Sequence, residues 1–371
     1  MRRKTKYIYE LAKWPEFYWD QQTINQLLTT VRHHQGRLLG RMESLGFNLQ
    51  NEASLQTLTL DVIKSSEIEG EILDRDQVRS SIAKRLGIDI GGLIQADRYI
   101  EGVVEMMLDA TQNYDKPLTD ERLFGWHAAL FPMGRSGIHK IVVGRWRDNT
   151  KGDPMQVVSG PIGKEKIHYE APNSDLLVKE MDVFCEWFNT ELNTDPVIKS
   201  AIAHLWFVTI HPFDDGNGRI ARAIADMLLS RTDGTSHRFY SMSAQIRKER
   251  NSYYDILEQT QKGTLDITLW LEWFLRCLDR ALTASDETLA MVIRKSRFWE
   301  KHATTLLNKR QVLLLNKLLD GFEGKLTSSK WAKIAKSSQD TALRDMQDLL
   351  EKKILIREAS GGRSTSYILA E

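Results

Sequence analysis

Residues 211–222 read HPFDDGNGRIAR. They bring together His211, Asp214, Asp215, Asn217, Arg219 and Arg222 with Gly216 and Gly218, a mixture that no helix or strand needs for packing. Glycines let backbone N–H groups converge on one point. A helix starting near Asn217 adds the partial positive charge of its N-terminus. Such a place binds phosphate. Arg219 and Arg222 are three residues apart and share one side of that helix. Two guanidiniums beside an amide nest suit a polyphosphate better than a single phosphate. Asp215 is a lone carboxylate facing that nest. Mg²⁺ keeps several waters and takes few protein ligands, so a lone carboxylate suffices as its anchor. His211 lies four residues earlier, at the end of the preceding helix, and its near-neutral pKa suits proton abstraction from a hydroxyl. The spacing points to Mg²⁺-dependent phosphoryl or nucleotidyl transfer to a hydroxyl. A solvated loop with a structural histidine would not need base, carboxylate, nest and two arginines together.

Several elements must position these groups. The helical pattern of 196–210 delivers the chain to His211, and a helix starts near Asn217. Between "MQVV" and "IHY", Gly160, Pro161 and Gly163 predict a small β-hairpin over about Gln156–Tyr169. Upstream, Leu55, Leu58, Val62, Ser65 and Glu69 are spaced three and four apart and share one helix face. A core-facing stripe that ends in a serine and a glutamate, followed at once by Gly70, is unusual. Read locally, it is an exposed helix end with a glycine cap. Residues 1–50 open on the aromatic cluster YIYELAKWPEFYWD, expected to wedge against a neighbouring helix, and then follow a helical pattern through Ile24, Leu27, Leu28 and Val31.

The chain has 371 residues, 42% hydrophobic and 27% charged, with net charge +1. That length allows two or three domains. The charge balance points to neither nucleic acid nor an acidic partner. Cys185 and Cys277 are the two cysteines, each in an apolar helical context, which argues against a disulfide framework or a cysteine-ligated metal. The basic N-terminus is not followed by an apolar run, and no stretch approaches membrane-span length. A cytoplasmic location without membrane contact is expected.

HPFDDGNGRIAR resembles the Fic family signature, HPFx(D/E)GNGRxxR, at every fixed position. The resemblance covers about residues 50–280, including GRWR before the hairpin and YYDIL after the signature. It implies a mostly α fold: a Fic-type helical core with a β-hairpin flap, followed here by a winged-helix domain. It implies transfer of AMP from ATP, with Mg²⁺, to a Ser, Thr or Tyr hydroxyl of a target protein. His211 would be the general base and Asp215 the Mg²⁺ ligand. Gly216, Asn217 and Gly218 would cradle phosphates, Arg219 and Arg222 would hold the β- and γ-phosphates, and Phe213 would anchor the loop. The flap residues Gln156, Val157, Val158, His168 and Tyr169 would align a target segment by strand addition. A related branch that phosphorylates its targets has lysine where this chain has Gly218, so AMP transfer is the expected outcome. SSEIEGE resembles the family's inhibitory motif (S/T)xxxE(G/N) through Ser65, Glu69 and Gly70, which implies that Glu69 pairs with Arg222 and blocks the γ-phosphate.

The expected organisation is an N-terminal aromatic-rich helical domain (1–50), helices including the inhibitory one (51–111), a catalytic core (112–285), a connecting helix (286–306) and a winged-helix domain (307–371). The winged-helix expectation rests on the order helix, helix–turn–helix, strand, glycine-rich wing, strand. Its expected recognition helix mixes Asp340, Asp345, Asp348 and Glu351 with Arg344, Lys352 and Lys353. Lys325, Lys330, Lys333, Lys336 and Arg363 lie elsewhere in the domain. DNA contact needs an excess of positive side chains, so a protein-contact role is preferred over DNA. Self-modification and a homodimer are further partner expectations. Two other functions stay open: a DNA-binding regulator whose core only senses nucleotide, and removal of AMP from modified proteins with Glu69 positioning a water.

Overall fold

A computed structural model describes residues 7–90, 93–149, 153–161, 164–322, 324–358 and 365–370. The fold is mostly α with small strands. Helices α1 (Gln21–Glu43), α2 (Phe47–Ile68), α3 (Arg75–Leu86), α4 (Arg98–Gln112) and α5 (Asp120–Leu130) come first. Two antiparallel pairs follow, β1 (Arg135–Ser136) with β2 (His139–Lys140), and β3 (Gln156–Ser159) with β4 (Lys166–Glu170). Then come α6 (Leu177–Thr190), α7 (Pro196–Ile210), α8 (Asn217–Asp233), α9 (Met242–Lys248), α10 (Arg250–Gln261) and α11 (Thr268–Lys301).

The chain divides into two compact units. The first comprises Met1–Leu86 and Ile94–Asp286, the second Gly87–Leu93 and Glu287–Glu371. The expected domain boundary at 50/51 lies inside α2. The break occurs instead at Gly46, which caps α2 after α1 has ended at Glu43, and no helix breaker stands near residue 50.

α7 is the axis of the first unit. Every residue from Val197 to Ile210 is buried, as an all-round apolar helix must be. Asp195 caps it and Pro196 occupies its first turn. α7 packs along α8, and α8 also meets α4. The sequence pattern did not signal the β1–β2 pair, which is too short for periodicity to register.

In the second unit, α12 (Lys309–Leu319), α13 (Ser328–Ile334) and α14 (Gln339–Glu351) precede the antiparallel pair β5 (Leu355–Arg357) and β6 (Tyr367–Leu369). Asn308, Thr327 and Ser338 cap the three helices through their side chains. The core gathers around the fully buried Trp331, with Leu314, Leu315, Met346, Leu349 and Leu355. Leu326 bridges to Tyr367 and extends the sheet at its edge. Arg363 and Gly163, both singled out in the sequence, lie outside the described residues. No helix among the described residues is long and apolar enough to cross a membrane.

Candidate functional site

The α7–α8 junction is built by its own residues. His211 ends α7 in the left-handed region (φ 53°, ψ 58°), and Pro212 cannot continue the helix. Phe213 is buried and its ring stacks on His127 with centroids 4.1 Å apart. The Asn217 side chain closes the loop: Oδ1 accepts from the Phe213 N–H (3.0 Å) and Nδ2 donates to the Phe213 carbonyl (2.7 Å). Its amide group is therefore a loop clamp, and only its backbone N–H faces the nest. Arg147, from GRWR, ties the loop down from the other side. Its Nε donates to the His211 carbonyl (2.8 Å), its Nη2 to the Pro172 carbonyl (2.6 Å) and its backbone N–H to the Pro212 carbonyl (3.0 Å).

Gly216 starts α8 with φ 81°. A Cβ there would lie 2.9 Å from the Phe131 ring, so space and backbone both require glycine. No side chain caps α8 among the described residues, which leaves its first-turn N–H groups for an anion. Asp215 lies just before them. Its carboxylate accepts from Ser136 Oγ and, at 2.5 Å, from the Gly216 N–H. No cluster of three or more potential metal ligands occurs among the described residues. The donor set is thus one carboxylate beside an anion nest, which fits Mg²⁺ held largely by phosphate oxygens and water.

His211 Nδ1 lies 3.3 Å from the Val208 carbonyl. A carbonyl only accepts, so Nδ1 carries the proton and Nε2 keeps its lone pair. Burial, and then the Arg147 charge, push this imidazole down to about 4. It is neutral near pH 7 and able to accept a proton.

Arg219 and Arg222, in the first turns of α8, are both buried and both are engaged by the turn that ends α2. Arg222 pairs with Glu69 at 2.8 Å. It also donates from Nε to Ser65 Oγ and from Nη2 to the Ser65 carbonyl, each at 2.9 Å. The Glu69 carboxylate lies over Gly218, where a Cβ would come within 2.2 Å of Oε1. Glu69 is not the fully inward group that its stripe suggests: its side chain keeps 29% exposure, because it is the C-cap of α2 rather than an interior position. Arg219 donates to Glu71 Oε2 at 2.7 Å and to the Tyr99 hydroxyl. Burial raises the Glu71 pKa against the pull of Arg219. Arg219 Nε and Arg222 Nη1 are buried and have no hydrogen-bond partner among the described residues. A buried guanidinium N–H without a partner favours an anionic acceptor.

The turn at 69–71 explains why two glutamates reach α8. Gly70 is left-handed (φ 88°), its N–H donates to the Glu67 carbonyl and the Glu71 N–H to the Ser66 carbonyl. These two bonds form a Schellman ending, so the glycine cap and the unusual stripe are one structure. Arg250 Nε donates to the last α2 carbonyl, Ile68, at 2.7 Å, and the Tyr254 hydroxyl reaches Glu69 at 3.3 Å. Sequence reasoning missed Glu71, Tyr99, Ser136 and Arg250. Glu71 alone carried a signal, as a second acid just past the helix-ending glycine.

The β3–β4 hairpin forms where the sequence predicts it. Gln156 pairs with Glu170, Val157 with Tyr169 and Val158 with Ile167, with an irregularity between Val157 and Val158. Val158 and Ile167 remain 48% and 47% exposed. His168 bonds Glu258 (2.5 Å) and Ser159 (2.6 Å), and the Tyr169 hydroxyl donates to the Thr209 carbonyl, two residues before His211.

Residues 117–229 match the Fic/DOC family, and residues 7–88 match a domain of unknown function, DUF4172. The chain is 29% identical over 224 residues to the protein adenylyltransferase Fic of Culex quinquefasciatus. It is 28% identical over 226 residues to that of Aedes aegypti. Each alignment covers 60% of this chain and 40% of the relative, so the chain spans less than half the length of the curated relatives it matches. A Fic family protein from Desulfovibrio desulfuricans G20 shares the fold at TM-score 0.54 and 21% identity, covering 95% of this chain and 97% of that one. A Fic domain containing signaling protein from Bacteroides thetaiotaomicron VPI-5482 does so at TM-score 0.50 and 20% identity, covering 72% and 98%. The Fic/DOC match contains the hairpin and the whole of His211–Arg222, whereas Glu69 and Glu71 come from the DUF4172 match; the segment similar to Fic/DOC proteins is thus met by two glutamates of the preceding one, on Arg222 and Arg219.

Proposed function

We propose that this protein is a self-inhibited protein adenylyltransferase that moves AMP from ATP to a Ser, Thr or Tyr hydroxyl. The observation that carries this reading is the convergence of His211, Asp215, the α8 N-terminus, Arg219 and Arg222 on one nest, with Glu69 laid across Gly218 onto Arg222. His211 Nε2 takes the proton of the acceptor hydroxyl. The oxygen bonds to the α-phosphorus, the bond from that phosphorus to the bridging oxygen breaks, and pyrophosphate leaves. The amides of Gly216, Asn217 and Gly218 cradle phosphate oxygens, and Arg219 and Arg222 hold the outer phosphates. Asp215 would hold Mg²⁺, which supplies charge neutralisation along the phosphates. Gly218 stands where the related phosphorylating branch has lysine, in keeping with AMP transfer rather than phosphate transfer.

Ser65, Glu69 and Gly70 form the inhibitory element in this reading. While Glu69 holds Arg222, that guanidinium cannot grip the γ-phosphate, and the carboxylate repels it. The exposed edge of the flap takes an extended target segment by strand addition. The second unit is read as a winged helix that contacts protein rather than DNA. On α14, Asp345 is paired with Arg310 and Asp348 with Lys352, so that helix offers phosphate no excess of positive charge.

The test is incubation of purified protein with α-labelled ATP and Mg²⁺, wild type beside Glu69→Gly. Label fixed on protein supports the reading. No label from either form, with ATP still bound, would leave a nucleotide sensor. Release of AMP from a pre-labelled protein would favour the reverse reaction.

A further inference from the structure

The segment before α1 is an ordered strap that touches both the flap and α7. At its start, the buried Tyr7 ring stands edge-on to Tyr169 of β4, with centroids 5.0 Å apart and planes at 74°. Tyr9 stacks on Tyr7 at 5.9 Å and meets Tyr169 edge-on at 6.3 Å. Met155 and Val157, at the base of the hairpin, pack into the same cluster. Further along, Trp14 and Phe17 set their edges on Trp206 of α7, at 6.0 and 5.7 Å. Trp14 Nε1 donates to Glu180 at 2.8 Å. The Tyr18 N–H donates to the Leu265 carbonyl, and its own carbonyl accepts from the Ile267 N–H. The strap is thus fixed to the helix that ends in His211, and its Tyr7 and Tyr9 pack on the hairpin.

A two-stranded hairpin is marginal by itself in water. The middle of β4 is held by His168 on Glu258, and the base of the hairpin by the tyrosine cluster. Edge-to-face ring pairs hold both distance and orientation. Tyr169 then passes that position on, since its hydroxyl is bonded to the Thr209 carbonyl of α7.

We propose that Tyr7 and Tyr9 are positioning residues for the protein acceptor: they set the flap relative to His211, so that acceptor presentation depends on them and nucleotide binding does not. The mechanistic part rests on the adenylyltransferase reading, whereas the bracing part does not. This gives the DUF4172 segment a second task beside delivery of Glu69.

The test uses the full chain in the Glu69→Gly background, with Tyr7→Ala, Tyr7→Leu and Tyr7→Phe. Hydrogen exchange of the amides of 156–158 and 166–170 reads the brace directly. Transfer of α-labelled AMP to a His211→Ala copy of the chain, at varied acceptor concentration, reads presentation. Tyr7→Ala is expected to speed flap exchange about tenfold and raise the acceptor KM about tenfold, with ATP affinity unchanged. Tyr7→Phe keeps the ring and should stay closer to the parent than to alanine in both readouts. Should the alanine variant fail to fold, the leucine variant, which keeps bulk without the aromatic edge, carries the same expectation. Unchanged flap exchange in a folded Tyr7→Ala or Tyr7→Leu protein overturns the brace. So does a phenylalanine variant as impaired as alanine. Faster exchange with an unchanged acceptor KM, or with ATP affinity lost in step, overturns the positioning role. If the parent transfers no AMP, the adenylyltransferase reading fails, and exchange still decides the brace.

Discussion

His211 sits in a backbone conformation that side-chain-bearing residues rarely adopt. It is held there by Arg147 on its carbonyl and Pro212 after it. The strain is compensated by a fixed imidazole with one nitrogen committed to Val208. His211→Ala should remove transfer by ~10²–10⁴-fold, the usual worth of a general base, while ATP affinity holds because the nest and both arginines remain. Calorimetric titration with ATP beside a labelling assay separates the two; a mutant that labels at the parent rate removes His211 from this role. Asp215→Ala should shift Mg²⁺ activation to much higher metal concentration, since in the proposed site one carboxylate would be the protein's share of the ion. An unchanged Mg²⁺ activation curve would take the ion away from Asp215.

At the scale of elements, the end of α2 and the start of α8 lock each other. α8 offers unpaired amides and two buried guanidiniums, and α2 answers with a Schellman turn carrying one glutamate on each side of its glycine. A buried guanidinium needs an anionic partner, and in this structure α2 supplies both partners. The two carboxylates should have different effects. Glu69→Gly frees Arg222 and clears the space over Gly218, so labelling should rise at least several-fold, mainly in turnover, through restored alignment. Glu71→Gln frees Arg219 from its charge partner, so ATP affinity should tighten several-fold. In the double variant both effects should appear. Titration and labelling on the same preparations decide this, and equal labelling by a folded Glu69→Gly protein ends the self-inhibition reading.

Across the molecule, every residue in the proposed chemistry belongs to the first unit. Removing residues 307–371 should therefore leave self-labelling within a few-fold of the parent; a fragment that binds ATP but cannot label itself would make the second unit part of the active machinery. The first unit also holds the buried His127 and His204 and the half-buried His211, whose pKa values fall from 6.5 to about 4, 3 and 4, in each case mainly through loss of solvation. The unfolded chain binds protons at these groups below about 6.5, and the folded chain does not until near 4 or lower. Where the unfolded state binds more protons, stability falls as pH falls. The melting temperature should therefore decline steadily from pH 6.5 towards 4, and the His127→Gln variant should flatten part of that decline. A melting temperature independent of pH over this range would contradict the burial of neutral histidines.

The proposed site was legible in the chain because its residues are adjacent: His211 to Arg222 is one short run in which glycine, carboxylate and arginine spacing follow directly from how a helix starts. The hairpin was legible from Gly160 and Pro161 between two β-prone runs, and α2 from its three-and-four stripe. The Glu69 partner of Arg222 came from the resemblance alone, and the partners of Arg219 were not legible at all. Glu71 and Tyr99 reach Arg219 across 148 and 120 residues, and no local pattern records a contact of that separation. The same holds for Tyr7 on Tyr169 and for Ser136 on Asp215. Periodicity predicted that Glu69 faces inward, but the helix ends there, so tertiary packing left it part exposed and aimed along the surface of α8. Spacing along the chain determines which groups one helix end presents. Which distant carboxylate or ring meets them is decided only when burial forces each charge and each aromatic face to find its partner.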